Sequence, residues 1–380
     1  MSEQDFPEDE FAARTQAAQK AMHSQGIDAL FFTTEAEMRY FTGFRTLFWQ
    51  SPTRPWFLVV PVNGKPIAVI PQIGAHLMAS TWIDDIRVFS APHPVDDGIA
   101  LLADTLKGFT KIAMPMGRES GLRMPLRDFQ RLRDLTNHAE YLDGTGPIQS
   151  LRMVKSEREI ALLREICGIG SEAFARAPEL FHSGQPLNEV FRSFRIELLK
   201  QGADDVPYLV GGAGQDGYGD VISPPSARPL QEGDVLMLDT GATKSGYFCD
   251  FDRNFAIGQA SDAVRSAHET LVRAVEAAAE IARPGRTCAD LFQAMAKVLD
   301  QGEGDVGRLG HGLGMQLTEA PSLTGFDETP LRANMVLTLE PSLALGPGRM
   351  MVHEENIVIR DGSPEFLTVP AGPDIPVITR

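Results

Sequence analysis

The sequence predicts a two-domain α+β protein, and three observations carry that prediction. A chain of 380 residues is longer than one hydrophobic core usually supports. Its first part, to about residue 150, alternates helical and strand patterns, which describes a mixed α/β domain with its own sheet. From about residue 151 onward helices and antiparallel strands segregate, the mark of an α+β domain. The expected domains are 1–150 and 151–380.

Each element has a local reason. A polar helical pattern over 11–24 precedes an apolar strand at 29–33. Strands at 56–61 and 66–70 flank Asn63-Gly64, a dipeptide suited to a hairpin turn. A strand at 87–89, a helix near 97–107, a strand at 111–114 and a helix near 123–135 complete the first domain. The segment 148–159 (IQSLRMVKSERE) reads as a charged junction, within which Ser156 caps a helix and Glu159 holds the capping-box position. Two long helical patterns run to about residue 201, followed by a Gly-rich stretch at 210–220. A strand at 235–239 and its partner at 246–255 come next, then helices at 261–282 and 288–301. The chain closes in strands around 335–340 and 350–359.

Composition narrows the function classes. The chain is 43% hydrophobic and 23% charged, typical of a folded globular protein. Its net charge of -16 argues against a nucleic-acid partner, because phosphate attraction needs a basic face. No stretch approaches the roughly 18 uninterrupted apolar residues of a membrane helix, so no membrane partner is expected. Cys167, Cys249 and Cys288 show no CxxC spacing and fit a reducing compartment. The start, MSEQDFPEDEF, lacks a charged-then-apolar signal segment. A cytoplasmic location is expected.

Chemistry concentrates in the second half, where Asp239, Asp250, His311, Glu340 and Glu354 follow one another. Asp239 ends the apolar run VLML and Asp250 lies on the partner strand, with Lys244-Ser245-Gly246 as the turn. A hairpin sets two such carboxylates side by side. A lone Asp at a strand end is ordinarily solvated, but a buried one needs a cation or donors. His311 is framed by Gly310 and Gly312; a lone histidine is more often a structural hydrogen-bonder, yet this frame leaves its imidazole unobstructed. Glu340 ends the apolar strand MVLTL, and Glu354 and Glu355 both precede Ile357-Val358-Ile359. Strand alternation lets one of these two face inward, and spacing alone does not choose. Four carboxylates and one imidazole can hold two divalent cations and acidify a water between them, so hydrolysis is the expected chemistry.

Taken in this order, the phrases GDVLMLDTGA, CDFDRNF, GHGLGM, EAPSL, LTLEPS and EENIVI resemble the M24 "pita-bread" metallopeptidase family of methionine aminopeptidase, aminopeptidase P, prolidase and creatinase. LRMVKSEREI at 151–160 is similar to the domain junction of its creatinase/prolidase/aminopeptidase P branch. The resemblance implies a creatinase-type N-terminal domain, a pita-bread catalytic domain and a homodimer. It also implies that Asp239, Asp250, His311, Glu340 and Glu354 hold two metals, with Asp250 bridging and Glu340 handling the proton. Glu354 is preferred to Glu355 because the family's strand runs Glu, acidic residue, variable residue, then three aliphatics. The mainly oxygen donors favour Mn²⁺, with Zn²⁺, Co²⁺ or Fe²⁺ as alternatives. The implied activity is that of an Xaa-Pro dipeptidase or aminopeptidase P, a metal-bridged hydroxide attacking the amide carbonyl of a short peptide.

The chain departs from this pattern at several positions. Ile222 and Thr318 stand where the peptidases carry histidines that bind the substrate carbonyl or shuttle a proton, groups worth about 3 kcal/mol each. Asp252 replaces a usual threonine, with a role as partner of Arg253 as its simplest reading; Val352 replaces an arginine beside His353. Tyr218, Asp220 and His353 are candidates to stand in for the missing groups. In the segment matching the branch's Phe-Thr-Gly-Phe phrase, Arg45 or Arg54 suits a substrate carboxylate and Trp49 a pocket wall, against an ordinary sheet-edge loop. The departures open a second expectation, a relative acting on a small non-peptide molecule: ectoine-type ring hydrolysis, creatinase-like amidinohydrolysis, or dimethylsulfoniopropionate cleavage. Met237, where the lyase branch would carry an extra acid, disfavours the last. A metal-free binding protein on the same fold is a third.

Overall fold

The computed structural model describes residues 6–300 and 307–379. The chain divides into two compact units, Met1–Arg152 and Met153–Arg380.

The first unit is built on a six-stranded mixed sheet. Its elements are α1 (Glu8–Gln25), β1 (Ala29–Phe32), α2 (Glu35–Thr42), β2 (Phe57–Pro61), β3 (Ile67–Pro71), α3 (Ala75–Met78), β4 (Asp85–Phe89), α4 (Ile99–Leu106), β5 (Lys111–Met114), α5 (Leu126–Leu135), β6 (Glu140–Asp143) and α6 (Thr145–Met153). The strand order is β4-β3-β2-β1-β5-β6. β1 and β2, and β2 and β3, pair antiparallel; the other neighbours are parallel. Ala29, Phe31, Phe57, Val59 and Val69 supply the sheet's share of a core closed by Ile99, Leu102 and Leu132. β1 and β2 are buried along their whole length, which is why they read as continuous apolar runs rather than alternating ones. In the loop after α2, Trp49 is buried under the Arg123 guanidinium, 5.0 Å from its ring centre. Arg54 lies over Phe48 and donates to Ala91 O at 3.2 Å, so its charge is engaged in packing.

The second unit contains α7 (Glu157–Ala175), α8 (Ala177–Leu180), α9 (Leu187–Gln201), β7 (Asp205–Gln215), β8 (Asp234–Lys244), β9 (Tyr247–Phe248), β10 (Phe251–Ile257), α10 (Asp262–Ile281) and α11 (Cys288–Leu299). β11 (Gly310–Gly312), β12 (Glu319–Ser322), β13 (Val336–Leu339), β14 (Ser342–Gly346), β15 (Arg349–Val352), β16 (Glu355–Val358), β17 (Glu365–Phe366) and β18 (Val377–Ile378) follow. One sheet runs β18-β10-β8-β7 with β9 added to β8, a second runs β12-β11-β13-β16-β17, and β14 pairs with β15 alone. Helices α10 and α11 contribute Leu271, Val275, Leu291, Phe292 and Met295 to the core, together with Val235 and Met237 of β8 and Leu337 and Ile357 of the second sheet. Ser156 and Glu159 form a reciprocal capping box on α7, and Thr287 and Asp290 another on α11.

Three expectations are corrected. The segment 148–159 is not one junction: α6 extends to Met153 and α7 begins at Glu157. The Gly-rich stretch at 210–220 largely belongs to an eleven-residue strand, β7. Gly211 is required there, because at φ 147 a Cβ would stand 2.1 Å from Met237 O of the paired strand. The expected strand at 350–359 is two strands in two sheets, with His353 and Glu354 in the gap. The expected end of α11 at Gln301 lies outside the described residues.

Candidate metal centre

The acidic residues gather where the two sheets of the second unit approach. β8 and β9 turn back through Ser245 and Gly246, with φ values of 45 and 64, the left-handed pair that closes a tight hairpin. In the continuing ribbon Asp239 lies opposite Asp252, and Asp250 precedes β10 by one residue. From the second sheet, Glu354 enters just before β16. Asp239, Asp250 and Glu354 each offer a carboxylate oxygen, and these oxygens lie within 4.8 Å of one another.

Asp250 is held through its peptide group. Its N–H donates to Asn356 Oδ1 at 3.0 Å, while Asn356 Nδ2 donates back to Asp250 O at 2.5 Å and Thr338 Oγ1 donates to the same carbonyl at 3.2 Å. Cys167 donates to Asn356 Oδ1 at 3.2 Å. His311 comes from β11, with Nδ1 2.9 Å from Gly312 O. That contact orients the ring and turns Nε2 toward Asp250 Oδ2 at 3.3 Å and Glu340 Oε2 at 3.4 Å. The other oxygen of Glu340 accepts from Arg308 Nε at 3.2 Å. All five series residues therefore meet in one place: three in the carboxylate cluster, His311 between Asp250 and Glu340.

Electrostatically the carboxylates outnumber the His311 and Arg308 cations that touch them. Asp239 and Glu354 are pushed well above the usual carboxylate range, first by burial and then by the neighbouring acids. Burial also raises Asp250, against the opposing pull of His311. Burial depresses the His311 imidazole, but hydrogen bonds to Asp250 and Glu340 outweigh it and bring its pKa to about 10. Asp239 Oδ1 and Glu354 Oε2 are buried without a hydrogen-bond partner among the described residues. Orphaned buried acceptors are costly unless something positive completes them. The donor set, four carboxylates and one imidazole, therefore fits divalent cations.

Behind the acids lies a buried polar layer. Asp252 Oδ1 accepts from Glu354 N at 2.7 Å and Asp252 Oδ2 from Asn254 Nδ2 at 3.0 Å. Asp252 is thus not the side-chain partner of Arg253, whose guanidinium instead bonds the Asp252 carbonyl and the Glu355 carboxylate. Glu355 is raised by burial but held at about 2, chiefly by Arg253 and by His353. His353 sits 3.5 Å from Asp252 and 3.3 Å from Glu355, which raise its pKa against its burial.

Other expected residues lie elsewhere. The Tyr218 hydroxyl donates to Asn254 Oδ1 and accepts from Val352 N at 2.7 Å, and Asp220 is an exposed cap for Ile222 and Ser223. Ile222 is 75% exposed, and Thr318 is half-buried. Tyr208, not singled out by the sequence, reaches the site: its hydroxyl bonds Asp239, and burial and the nearby acids keep it protonated. The signal was its place in β7, two residues from Val210, the partner of Asp239.

With this geometry, the family match has a physical meaning. Residues 161–361 match the model of metallopeptidase family M24 and residues 14–154 that of the creatinase/prolidase N-terminal domain. The chain belongs to the M24 metallopeptidase family, with a creatinase-type first domain, and is a hydrolase of that family. It is 28% identical over 374 residues to the "Probable dipeptidase PepE" of Mycobacterium tuberculosis, covering 94% of each chain. It is 25% identical over 354 residues to the Xaa-Pro dipeptidase of Pyrococcus furiosus, covering 92% of this chain and 95% of the other. Among solved structures, dipeptidase PepE from Mycobacterium ulcerans superposes with a TM-score of 0.85 at 27% identity, over 98% of this chain and 99% of that one. These similarities favour the peptidase expectation over a non-peptide substrate. No helix among the described residues is long and apolar enough to cross a membrane.

Proposed function

We propose that this protein is a dipeptidase of the Xaa-Pro type, with Asp239, Asp250, His311, Glu340 and Glu354 as the ligands of two divalent cations. The names of its relatives support the substrate class. The carrying observation is the cluster of Asp239, Asp250 and Glu354, which offer oxygens within 4.8 Å of one another, together with Asp239 Oδ1 and Glu354 Oε2, which are buried without a hydrogen-bond partner among the described residues. When bound, the cations supply Lewis acidity at the substrate carbonyl and a water acidified toward neutrality. Oxygen-rich donors favour Mn²⁺, with Zn²⁺, Co²⁺ or Fe²⁺ tolerated.

The chain's own groups perform the remaining tasks. The Glu340 side chain is 18% exposed against 6% for Asp250 and 3% for His311, so it is the acid within reach of substrate and solvent. It accepts the water's proton and returns it to the leaving nitrogen. Tyr208 remains a neutral donor to Asp239. The three cysteines are free and buried, in keeping with a cytoplasmic location, and the functional unit is a homodimer, checked by light scattering.

The test is metal analysis and turnover of the Mn²⁺-incubated full chain. Two ions per chain and cleavage of Xaa-Pro dipeptides are expected, and Asp239→Ala should lose both. Less than one ion per chain, or a D239A variant that retains turnover, contradicts the assignment.

A further inference from the structure

Glu354 is aimed by side chains of β10, the strand that follows Asp250. It lies in the gap between β15 and β16, and the β13–β16 ladder begins one residue later, at Glu355. Its peptide group is gripped by side chains instead. The N–H donates to Asp252 Oδ1 at 2.7 Å, and the carbonyl accepts from Arg253 Nη1 at 3.0 Å. One oxygen of its carboxylate, Oε2, has no hydrogen-bond partner among the described residues. The direction of this side chain therefore depends on how its backbone is held, and both grips come from β10.

Asp252 suits this task because two donors converge on it. Besides Glu354 N–H, Asn254 Nδ2 donates to Asp252 Oδ2 at 3.0 Å. The direction of that amide is fixed, since its Oδ1 accepts from the Tyr218 hydroxyl and its Nδ2 also donates to Val352 O at 2.7 Å. Only a carboxylate accepts at both atoms; an asparagine in its place would meet one of the two donors with an NH2 group. Asp252 is fully buried and lies opposite Asp239 in the β8–β10 ladder. The His353 ring stands 3.5 Å from it and 3.3 Å from Glu355. We propose that Asp252 is a positioning residue that holds Glu354 on the cations, an inference that rests on the two-cation reading above. With both of its oxygens occupied, an acid that binds neither cation sets how tightly they are retained.

The experiment titrates Mn²⁺ calorimetrically into metal-free wild type, Asp252→Asn and Asp252→Ala, with folding followed by circular dichroism and Tm. Loss of a group that orients a metal ligand ordinarily weakens metal binding about 10- to 100-fold, and that loss is expected in both variants. The Mn²⁺ concentration needed for turnover of an Xaa-Pro dipeptide should rise by the same factor, with KM for the dipeptide little changed. A lower Tm with wild-type Mn²⁺ affinity would mean that Asp252 only packs β10, and would overturn the proposal. If neither variant folds, hydrogen exchange in the metal-free wild type decides. The Glu354 amide should be as protected as those of β16, and rapid exchange there would overturn the proposal equally. Wild type that binds less than one ion per chain defeats the two-cation reading instead. Two ions held equally tightly by wild type and D252N reject the role of Asp252 alone.

Discussion

Asn356 illustrates how an uncharged residue can govern a charged site. Its amide accepts from Asp250 N and Cys167 Sγ and donates to Asp250 O. Asn356→Ala would leave a buried peptide group unpaired, at about 1–3 kcal/mol. A lower Tm and weaker Mn²⁺ affinity by calorimetry are expected; unchanged affinity would show that Asp250 is placed by the strand alone. Asn356 was invisible in the sequence, where it is the variable position of EENIVI. The five ionisable residues stood out because acids after apolar runs conflict with their surroundings, whereas Asn356, Tyr208 and Arg308 acquire meaning only from distant partners. Choosing Glu354 over Glu355 needed the family's pattern; in the structure Glu355 is occupied by Arg253.

At the scale of elements, glycines and capping residues decide how accurately the site is held. Gly310 has φ 145, and a Cβ there would lie 2.3 Å from Thr338 O on β13. Gly310→Ala must push β11 away from β13, displacing His311 from Asp250 and Glu340. A soluble but cooperative-unfolding variant with reduced metal content is the expected result, and wild-type metal content would refute it. The α7 capping box joins Ser156 to Glu159 N at 3.2 Å, so Ser156→Ala should cost about 1 kcal/mol in chemical denaturation without changing specificity. The capping box was legible because it is local. β7 was not, since three glycines within it mimic a loop until the strand they pack against is known. The break between β15 and β16 was hidden for the same reason: continuous apolar character does not reveal which sheet each half joins.

Across the whole molecule, the clustered acids couple folding to protons and metal. Asp239, Asp250, Glu354 and His311 all have folded-state pKa values above their ordinary ones. At these four groups the folded metal-free protein therefore holds more protons than the unfolded chain, and their contribution to stability falls as pH rises, partly offset below about pH 6.5 by buried His268, whose pKa is lowered to about 4. Metal-free Tm should decline between about pH 5 and pH 8, and Mn²⁺ should flatten that slope by replacing the protons. A metal-free Tm that rises across this interval would contradict the electrostatics. Glu355 has the opposite sign: its stabilising pairing is complete above the ordinary glutamate value and disappears as pH falls toward about 2. The two-domain outline was readable from length and pattern, but this coupling was not, because it depends on burial.

The buried thiols give the site a built-in clock. Cys249 is fully buried immediately before Asp250, and Cys167 is equally inaccessible against Asn356. A thiol reagent can reach either only when the surrounding strands part, so its labelling rate counts those openings. Followed with and without Mn²⁺, that rate would show how far cation occupancy lengthens the lifetime of the closed ribbon.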